Sequence, residues 1–346
     1  MKPGILVSYA PLDMPPILVA IPTLNAGEPL LRCLTALSLQ TWRDFEVIVI
    51  DNSSAERVVE LPSIPFRILR PEGNIGFGAA INLAIQNSRA SFIATLNDDT
   101  EPEPDWLRNL AGPMEADPHV GMCASRIRLA GQGWLDSAGM LICSDGSSKQ
   151  RGHMDVASAF PAAEDVLCPS GCAALYRRAM LDEVGGFDED FFLYCEDTDL
   201  GLRAQWAGWR CVYSPEAIVN HRYSGTAGAY SVLKARFVER NRLWVAIKNF
   251  PLSMLAWVPP VSAVRYLLQA KAVLTNRGAA AGFVRSGGSM GGALKIIVQA
   301  HWDTLTRIRT LLRKRGECAR KRRVRAADFR RLLRRHSISV RKLAVS

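Results

Sequence analysis

The chain lacks the markers of a small stapled domain or a membrane-spanning protein. Its eight cysteines, at positions 33, 123, 143, 168, 172, 195, 211 and 318, include no C-x-x-C pair, which excludes a zinc ribbon and a dithiol redox motif. At 346 residues and 48% hydrophobic content the chain can bury a large core without disulfides. The thiols therefore read as reduced and buried, as in a cytoplasmic protein. No long apolar run is present. Residues 249–264 are uncharged but contain Pro251, Pro259 and Pro260, and a membrane span needs about 20 apolar residues. Pro3, Pro11, Asp13, Pro15 and Pro16 interrupt the N-terminus, so no secretory signal is expected there. No internal repeat or low-complexity linker occurs. The glycine-rich stretch Gly73-Asn74-Ile75-Gly76-Phe77-Gly78 is spaced G-x-x-G-x-G, neither the dinucleotide fingerprint nor a Walker loop with its lysine.

Acidic residues are nearly missing from the C-terminal end. Residues 307–342 hold sixteen Lys/Arg against Glu317 and Asp328, a charge of +14, so the net +10 leaves −4 for the remainder. The basicity belongs to the tail and implies an anionic partner. With Leu305, Ile308, Leu311 and Leu312 on one side, the tail reads as a basic amphipathic helix on anionic lipid, with residues 252–263 and Trp257 adding apolar insertion. A solvated or disordered tail is the alternative. No nucleic-acid partner is expected, since no reading module accompanies the charge.

From residue 17 the chain alternates short apolar runs with amphipathic stretches. Strands are expected at 17–24, 45–50, 66–69 and 92–96, and helices at 29–40, 77–87 and 104–115. Continuous apolar strands between helices mean an α/β fold with a mostly parallel sheet covered on both faces. Ligands bind beyond the carboxyl ends of such strands. Three of those ends are polar: Pro22-Thr23-Leu24-Asn25, Asp51-Asn52-Ser53 and Asn97-Asp98-Asp99. They should meet in one crevice. Residues 118–170 read as antiparallel or irregular. A turn at 169–172, a strand at 173–176, a helix at 196–207 and a strand at 211–213 precede His221. Beyond about residue 230 the pattern is helical, with a glycine- and serine-rich break at 285–292.

Three features could carry chemistry. Asn97-Asp98-Asp99 puts two adjacent carboxylates at a strand end, where they repel unless a cation neutralises them; Mg2+ or Mn2+ bridging a diphosphate would do so, or the cluster caps a turn. Glu196-Asp197-Thr198-Asp199 follows Phe191-Phe192-Leu193-Tyr194. It is either a complement to a helix dipole or a general base in an apolar-walled pocket. His221 is a structural histidine or, beside a strand-end Asp, a metal ligand. The glycine turn could also let backbone N–H groups face an anion.

Taken in order, these pieces resemble the family 2 glycosyltransferases of the GT-A fold. The branch the chain most resembles is the bacterial rhamnosyltransferases and related galactofuranosyltransferases of surface-polysaccharide assembly. The resemblance runs through Ile21–Asn25, Cys33-Leu34 to Gln40, Glu46–Ser53, Asn74–Gly78 with Asn82, and Leu96–Thr100. It continues through Gly185–Asp188, Tyr194–Leu200 with Arg203, and His221, covering residues 17–245. It implies a lead at 1–16, a GT-A domain at 17–245 with a Rossmann-like sheet, and a helical, basic, membrane-associating region at 246–346. Pro22, Thr23, Asn25, Asp51, Asn74, Gly76, Asn82 and Asp98 would bind the nucleotide sugar. Asp99 and His221 would ligate the metal, although Asn97 stands where many relatives carry an acid. Asp197 would be the catalytic base, and Ser170, Gly171 and Glu196 would face the acceptor. The activity implied is an inverting sugar transfer, with dTDP-rhamnose the leading donor and a saccharide or lipid-linked saccharide the acceptor. The enzyme would lie peripherally on the inner face of the cytoplasmic membrane. The alternatives are a non-catalytic nucleotide-sugar-binding protein or a sugar-nucleotide pyrophosphorylase; the latter would need a G-x-G-T-R-like loop that Pro22–Asn25 does not provide.

Overall fold

The computed structural model describes residues 16–24, 27–53, 64–222, 231–276 and 278–345. Asn25 and the 1–15 part of the expected lead lie outside them. The chain opens with β1 (Ile17–Thr23), α1 (Glu28–Ser38), β2 (Phe45–Asp51), β3 (Arg67–Leu69), α2 (Phe77–Gln86), β4 (Phe92–Leu96), β5 (Thr100–Pro102) and α3 (Trp106–Ala116). It continues through β6 (Val120–Leu129), β7 (Leu135–Ser137), β8 (Met140–Ile142), β9 (Ser148–Gln150), β10 (Glu164–Asp165) and β11 (Ala173–Arg177). Then come α4 (Arg178–Val184), α5 (Glu196–Trp206) and β12 (Arg210–His221).

The main sheet runs β10-β12-β6-β11-β4-β1-β2-β3. The β4-β1-β2-β3 half is parallel, β11 inserts antiparallel between β4 and β6, and β12 runs parallel to β6. Both faces are covered because the strands are apolar at successive positions. Leu18, Ala20, Ile48 and Ile50 point to the face packed by α2 and α5. Ile17, Val19, Ile21, Val47 and Val49 point to the face packed by α1 and α3.

Two segments differ from expectation. Within 118–170 the short strands are β7 to β10, but β6 is a ten-residue strand of the main sheet. β12 does not stop at Tyr213. It continues to His221 across a register shift between Ser214 and Ile218. Pro215 sits inside that bulge, where the ladder is already interrupted and a missing N–H costs little.

The C-terminal helices are α6 (Val232–Asn249), α7 (Leu252–Leu255), α8 (Val258–Leu274), α9 (Gly278–Arg285), α10 (Met290–Thr306), α11 (Ile308–Arg320), α12 (Ala326–Arg335) and α13 (Val340–Val345). None of the described helices is long and apolar enough to cross a membrane. The basic tail is not the single one-sided helix expected. The helix ends at Arg307, so Leu311 turns inward and is buried while Leu305 and Leu312 stay exposed. α12 folds back onto the sheet domain, with Phe329 stacked on Trp206 at 3.7 Å between ring centroids. Lys314 of α11 donates to Asp190 at 2.6 Å and also reaches Asp188.

Candidate active site

The carboxyl ends of β1, β2 and β4 meet, as their polar sequences predict. Thr23 donates its hydroxyl to Asp98 at 2.5 Å, and the Asn52 N–H donates to the Thr23 carbonyl at 2.8 Å. Asp51 is buried, accepts the Ser53 N–H at 3.0 Å and faces Arg70 Nε at 3.3 Å. Asn52 reaches the Gly76 carbonyl at 3.4 Å, and Asn74 accepts the Gly76 N–H at 2.9 Å. Pro22, Thr23, Asp51, Asn74, Gly76 and Asp98 therefore share one edge of the sheet. Burial pushes the Asp98 carboxyl up to about 6; the Thr23 hydroxyl opposes this shift, and the neighbouring Asp99 adds to it.

The glycine turn works differently from an open anion cradle. The Phe77 N–H donates to the Phe192 carbonyl at 2.8 Å. Gly76 has φ +83°, and a Cβ there would lie 2.3 Å from the same oxygen. The glycine lets the backbone before α5 press against the start of α2. Asn82 stands apart from that sheet edge, with its amide committed to the Phe187 carbonyl at 2.8 Å and to Glu189 at 2.9 Å.

On the far side of Asp98, Asp99 and His221 come together. His221 is the last residue of β12, and its Nε2 lies 3.2 Å from Asp99 Oδ1. Its Nδ1 is 3.0 Å from Asp136 Oδ2, and the other oxygen of Asp136 is 3.2 Å from His153 Nδ1. Burial works against the charge on Asp136, yet bonds from His153 and His221 hold its carboxyl well below the usual range. Burial likewise opposes protonation of His221, and Cys172, Asp136 and Asp99 overcome it, raising its pKa far above that of a free imidazole.

Among the described residues no three His, Cys, Asp or Glu side chains converge as a metal centre. Asp99 and His221 nevertheless fit a divalent cation as a pair. Adjacent ligands of an octahedral ion at about 2.1 Å lie roughly 3 Å apart, and Oδ1 and Nε2 are 3.2 Å apart. A carboxylate behind the imidazole, here Asp136, is the usual support of a ligating histidine. Any further ligands would come from outside these side chains, as oxygens of a diphosphate.

The third part of the site is the start of α5. Phe192, Tyr194 and Cys195 have φ of +65°, +70° and +68°, a run that bulky side chains seldom adopt and that marks a constrained segment. Asn241 of α6 holds it by donating to the carbonyls of Leu193 at 2.8 Å and Tyr194 at 2.7 Å. The segment delivers Asp197, whose Oδ2 accepts the Gly171 N–H at 3.0 Å and whose Oδ1 accepts the Thr198 N–H at 2.6 Å. Burial raises the Asp197 pKa, and the Gly171 and Thr198 bonds restrain the rise. One residue past Gly171, the Cys172 carbonyl accepts the Asn97 N–H at 2.8 Å. The turn through Ser170, Gly171 and Cys172 thus bonds both Asp197 and the strand end that carries Asp98 and Asp99.

The acidic cluster divides by role. Asp199 is fully buried against Arg203, Lys248 and Asn249, each at 2.8 Å, and anchors α5. Glu196 is also buried, and its Oε2 has no hydrogen-bond partner among the described residues. Burial first, and the charge of Asp197 second, push its carboxyl up to about 8. Arg70, Asp136 and Asn241 escape a reading of the sequence. Asp136 lies in a segment without periodicity and reaches His221 only because β7 pairs with β6, the neighbour of β12.

Residues 18–185 match the sequence profile described as Glycosyl transferase family 2. The N-acetylglucosaminyl-diphospho-decaprenol L-rhamnosyltransferase of Mycobacterium tuberculosis is 29% identical over 239 residues, 60% of this chain and 76% of that protein. The mannosyltransferase of Pyrobaculum calidifontis, solved with GDP-Man and Mn2+, superposes with a TM-score of 0.52 at 17% identity, covering 92% of this chain and 89% of that one. GalNAc-T7, solved with UDP, GalNAc and Mn2+, gives a TM-score of 0.58 at 16% identity; the match covers 72% of this chain and about half, 51%, of that one. The two structures share the α/β architecture described above.

Proposed function

We propose, from the match of residues 18–185 to the Glycosyl transferase family 2 profile, that the chain moves a sugar from a nucleoside-diphosphate donor to a lipid-linked saccharide, with inversion at the anomeric carbon. dTDP-rhamnose is the leading donor, in keeping with the rhamnosyltransferase relative. An acceptor of that kind is held at an anionic membrane, on whose cytoplasmic face the enzyme would lie peripherally.

One observation carries the reading. The Ser170–Cys172 turn binds Asp197 on one side and Asn97, next to Asp98 and Asp99, on the other. In this reading the proton-accepting carboxylate and the diphosphate-facing acids, bonded to one three-residue turn, flank the space where the sugar binds. Asp51 and Thr23 hold the nucleoside end of the donor, and Asn74 and Gly76 shape the wall beside it. Asp99 and His221 would hold a divalent cation, which when bound supplies positive charge to the departing diphosphate. Asp197 takes the proton of the acceptor hydroxyl as its oxygen forms the new bond to the anomeric carbon and the bond to the diphosphate breaks. Burial raises its pKa above that of a free carboxylate, which strengthens it as a proton acceptor. The bond from Gly171 keeps the carboxylate aimed at the space, and Ser170 lies on the side from which the acceptor enters.

The test is a panel of nucleotide sugars, including dTDP-rhamnose, offered with a diphospho-lipid-linked saccharide and Mg2+ or Mn2+. Release of nucleoside diphosphate that depends on the acceptor is expected for one donor. Donor binding seen as thermal stabilisation, with no product from any acceptor, would refute the transferase reading.

A further inference from the structure

The basic tail does not supply a one-sided apolar helix, but the helix before it does. α10 turns Ile296, Ala300 and Thr304 inward, and Trp244 of α6 donates Nε1 to Thr304 Oγ1 at 3.2 Å. The other side carries Leu294, Val298, Trp302 and Leu305. Spacings of four, four and three residues stack them into one stripe. Their relative exposures are 62%, 59%, 66% and 63%. A single exposed Leu is ordinary, but a continuous row with a tryptophan in it marks an interaction surface.

Cations edge the stripe. Lys295 is exposed within α10, and Arg307 and Arg309 follow at its end, also exposed. None of the three pairs with a carboxylate among the described residues. An apolar row bordered by unpaired cations fits a surface that is apolar inside and anionic at its rim. We propose that this stripe seats the protein on an anionic lipid bilayer. Leu294, Val298, Trp302 and Leu305 enter the boundary between headgroups and acyl chains, and Lys295, Arg307 and Arg309 meet the phosphates. Tryptophan suits that depth, with an apolar body and a polar N–H. A second copy on the same face would set like charges against each other, and a nucleic acid would leave the apolar row in water. The proposal rests on the lipid-linked acceptor reading only for its purpose, which is to hold the site where such an acceptor lies.

The experiment is flotation of the full-length protein with vesicles of phosphatidylcholine containing phosphatidylglycerol, and with phosphatidylcholine alone. Wild type should float with the anionic vesicles, and less as salt rises. Leu294→Gln/Val298→Gln/Trp302→Gln and Lys295→Gln/Arg307→Gln/Arg309→Gln should each lower the partition coefficient about tenfold or more. All these side chains are exposed, so both variants should keep wild-type melting temperatures and donor-induced stabilisation, which confirms that they are folded. Wild-type flotation of both variants would overturn the stripe while leaving the membrane reading standing. Failure of the wild type to float with either vesicle would overturn both. Loss of self-association in the apolar variant, without any vesicle binding by wild type, would assign the face to a second copy instead.

Discussion

The Asp197 carboxylate lies 3.0 Å from the Gly171 amide nitrogen, and this bond fixes the proposed base of α5 against the turn that leads into β11. Gly171 has no side chain to intrude; a Cβ there would approach Phe77 at 3.2 Å and the Asp197 Cβ at 3.5 Å. The carboxylate is thus aimed chiefly by two backbone N–H groups, with the Thr198 hydroxyl 3.2 Å from Oδ1 beside them. Asp197→Asn keeps the size and the oxygen that accepts the Gly171 N–H while removing proton affinity. Turnover should fall by about 10²–10⁴-fold, with donor affinity within a few-fold of wild type. Parallel titrations of rate and of donor-induced fluorescence or thermal shift check both halves. Equal losses in both would move Asp197 from base to donor binding.

His221 depends on Asp136. The 3.0 Å contact at Nδ1 leaves Nε2 turned to Asp99. Asp136→Asn should weaken metal-supported donor binding by about 10–100-fold, while binding in the presence of EDTA changes little. Calorimetric donor titrations with Mn2+ and with EDTA separate the two. An equal loss in both would mean that Asp136 only holds the fold.

The parts of the site that could be read from the sequence are those made by consecutive residues. Asp51 and Asp98-Asp99 each end an apolar strand, and a parallel sheet necessarily gathers such ends at one edge. Asp197 is separable from Asp199 only through long-range partners: Lys248 and Asn249 come from α6, far along the chain. β6 was hidden because Ser125, Arg126 and Arg128 interrupt its apolar pattern. Arg126 is buried there because its Nε donates to the Tyr213 hydroxyl at 3.0 Å. The tail departs from its one-helix pattern because spacing fixes which residues share a helix face only while the helix lasts, and the helix breaks at Arg307.

Glu196 makes stability fall with rising pH. Its carboxyl titrates near 4.5 when the chain is unfolded and near 8 when it is folded. Between those values the native state holds the extra proton, so each unit of pH rise destabilises it by about 1.4 kcal/mol from this group. The contribution is flat below the window and flat again above it. Glu196→Gln should remove that slope and gain most over wild type at pH 8. Denaturant midpoints of both proteins from pH 5 to 8 test it; parallel curves would show that Glu196 ionises like an exposed glutamate.

Phe329 makes the basic tail part of the folded enzyme. Its ring is fully buried and stacks on Trp206, the last residue of the helix that begins with Glu196 and Asp197. Phe329→Ala removes that ring from a packed site, a change that costs about 3–5 kcal/mol. The loss falls at the end of α5, so a melting temperature lower by several degrees should come with reduced turnover at temperatures where wild type is fully active. Arg331→Ala, which lies on the same helix but is exposed, should leave both unchanged. Calorimetry and a temperature series of initial rates compare the two. A Phe329→Ala protein that melts like wild type would show the tail to be an independent appendage.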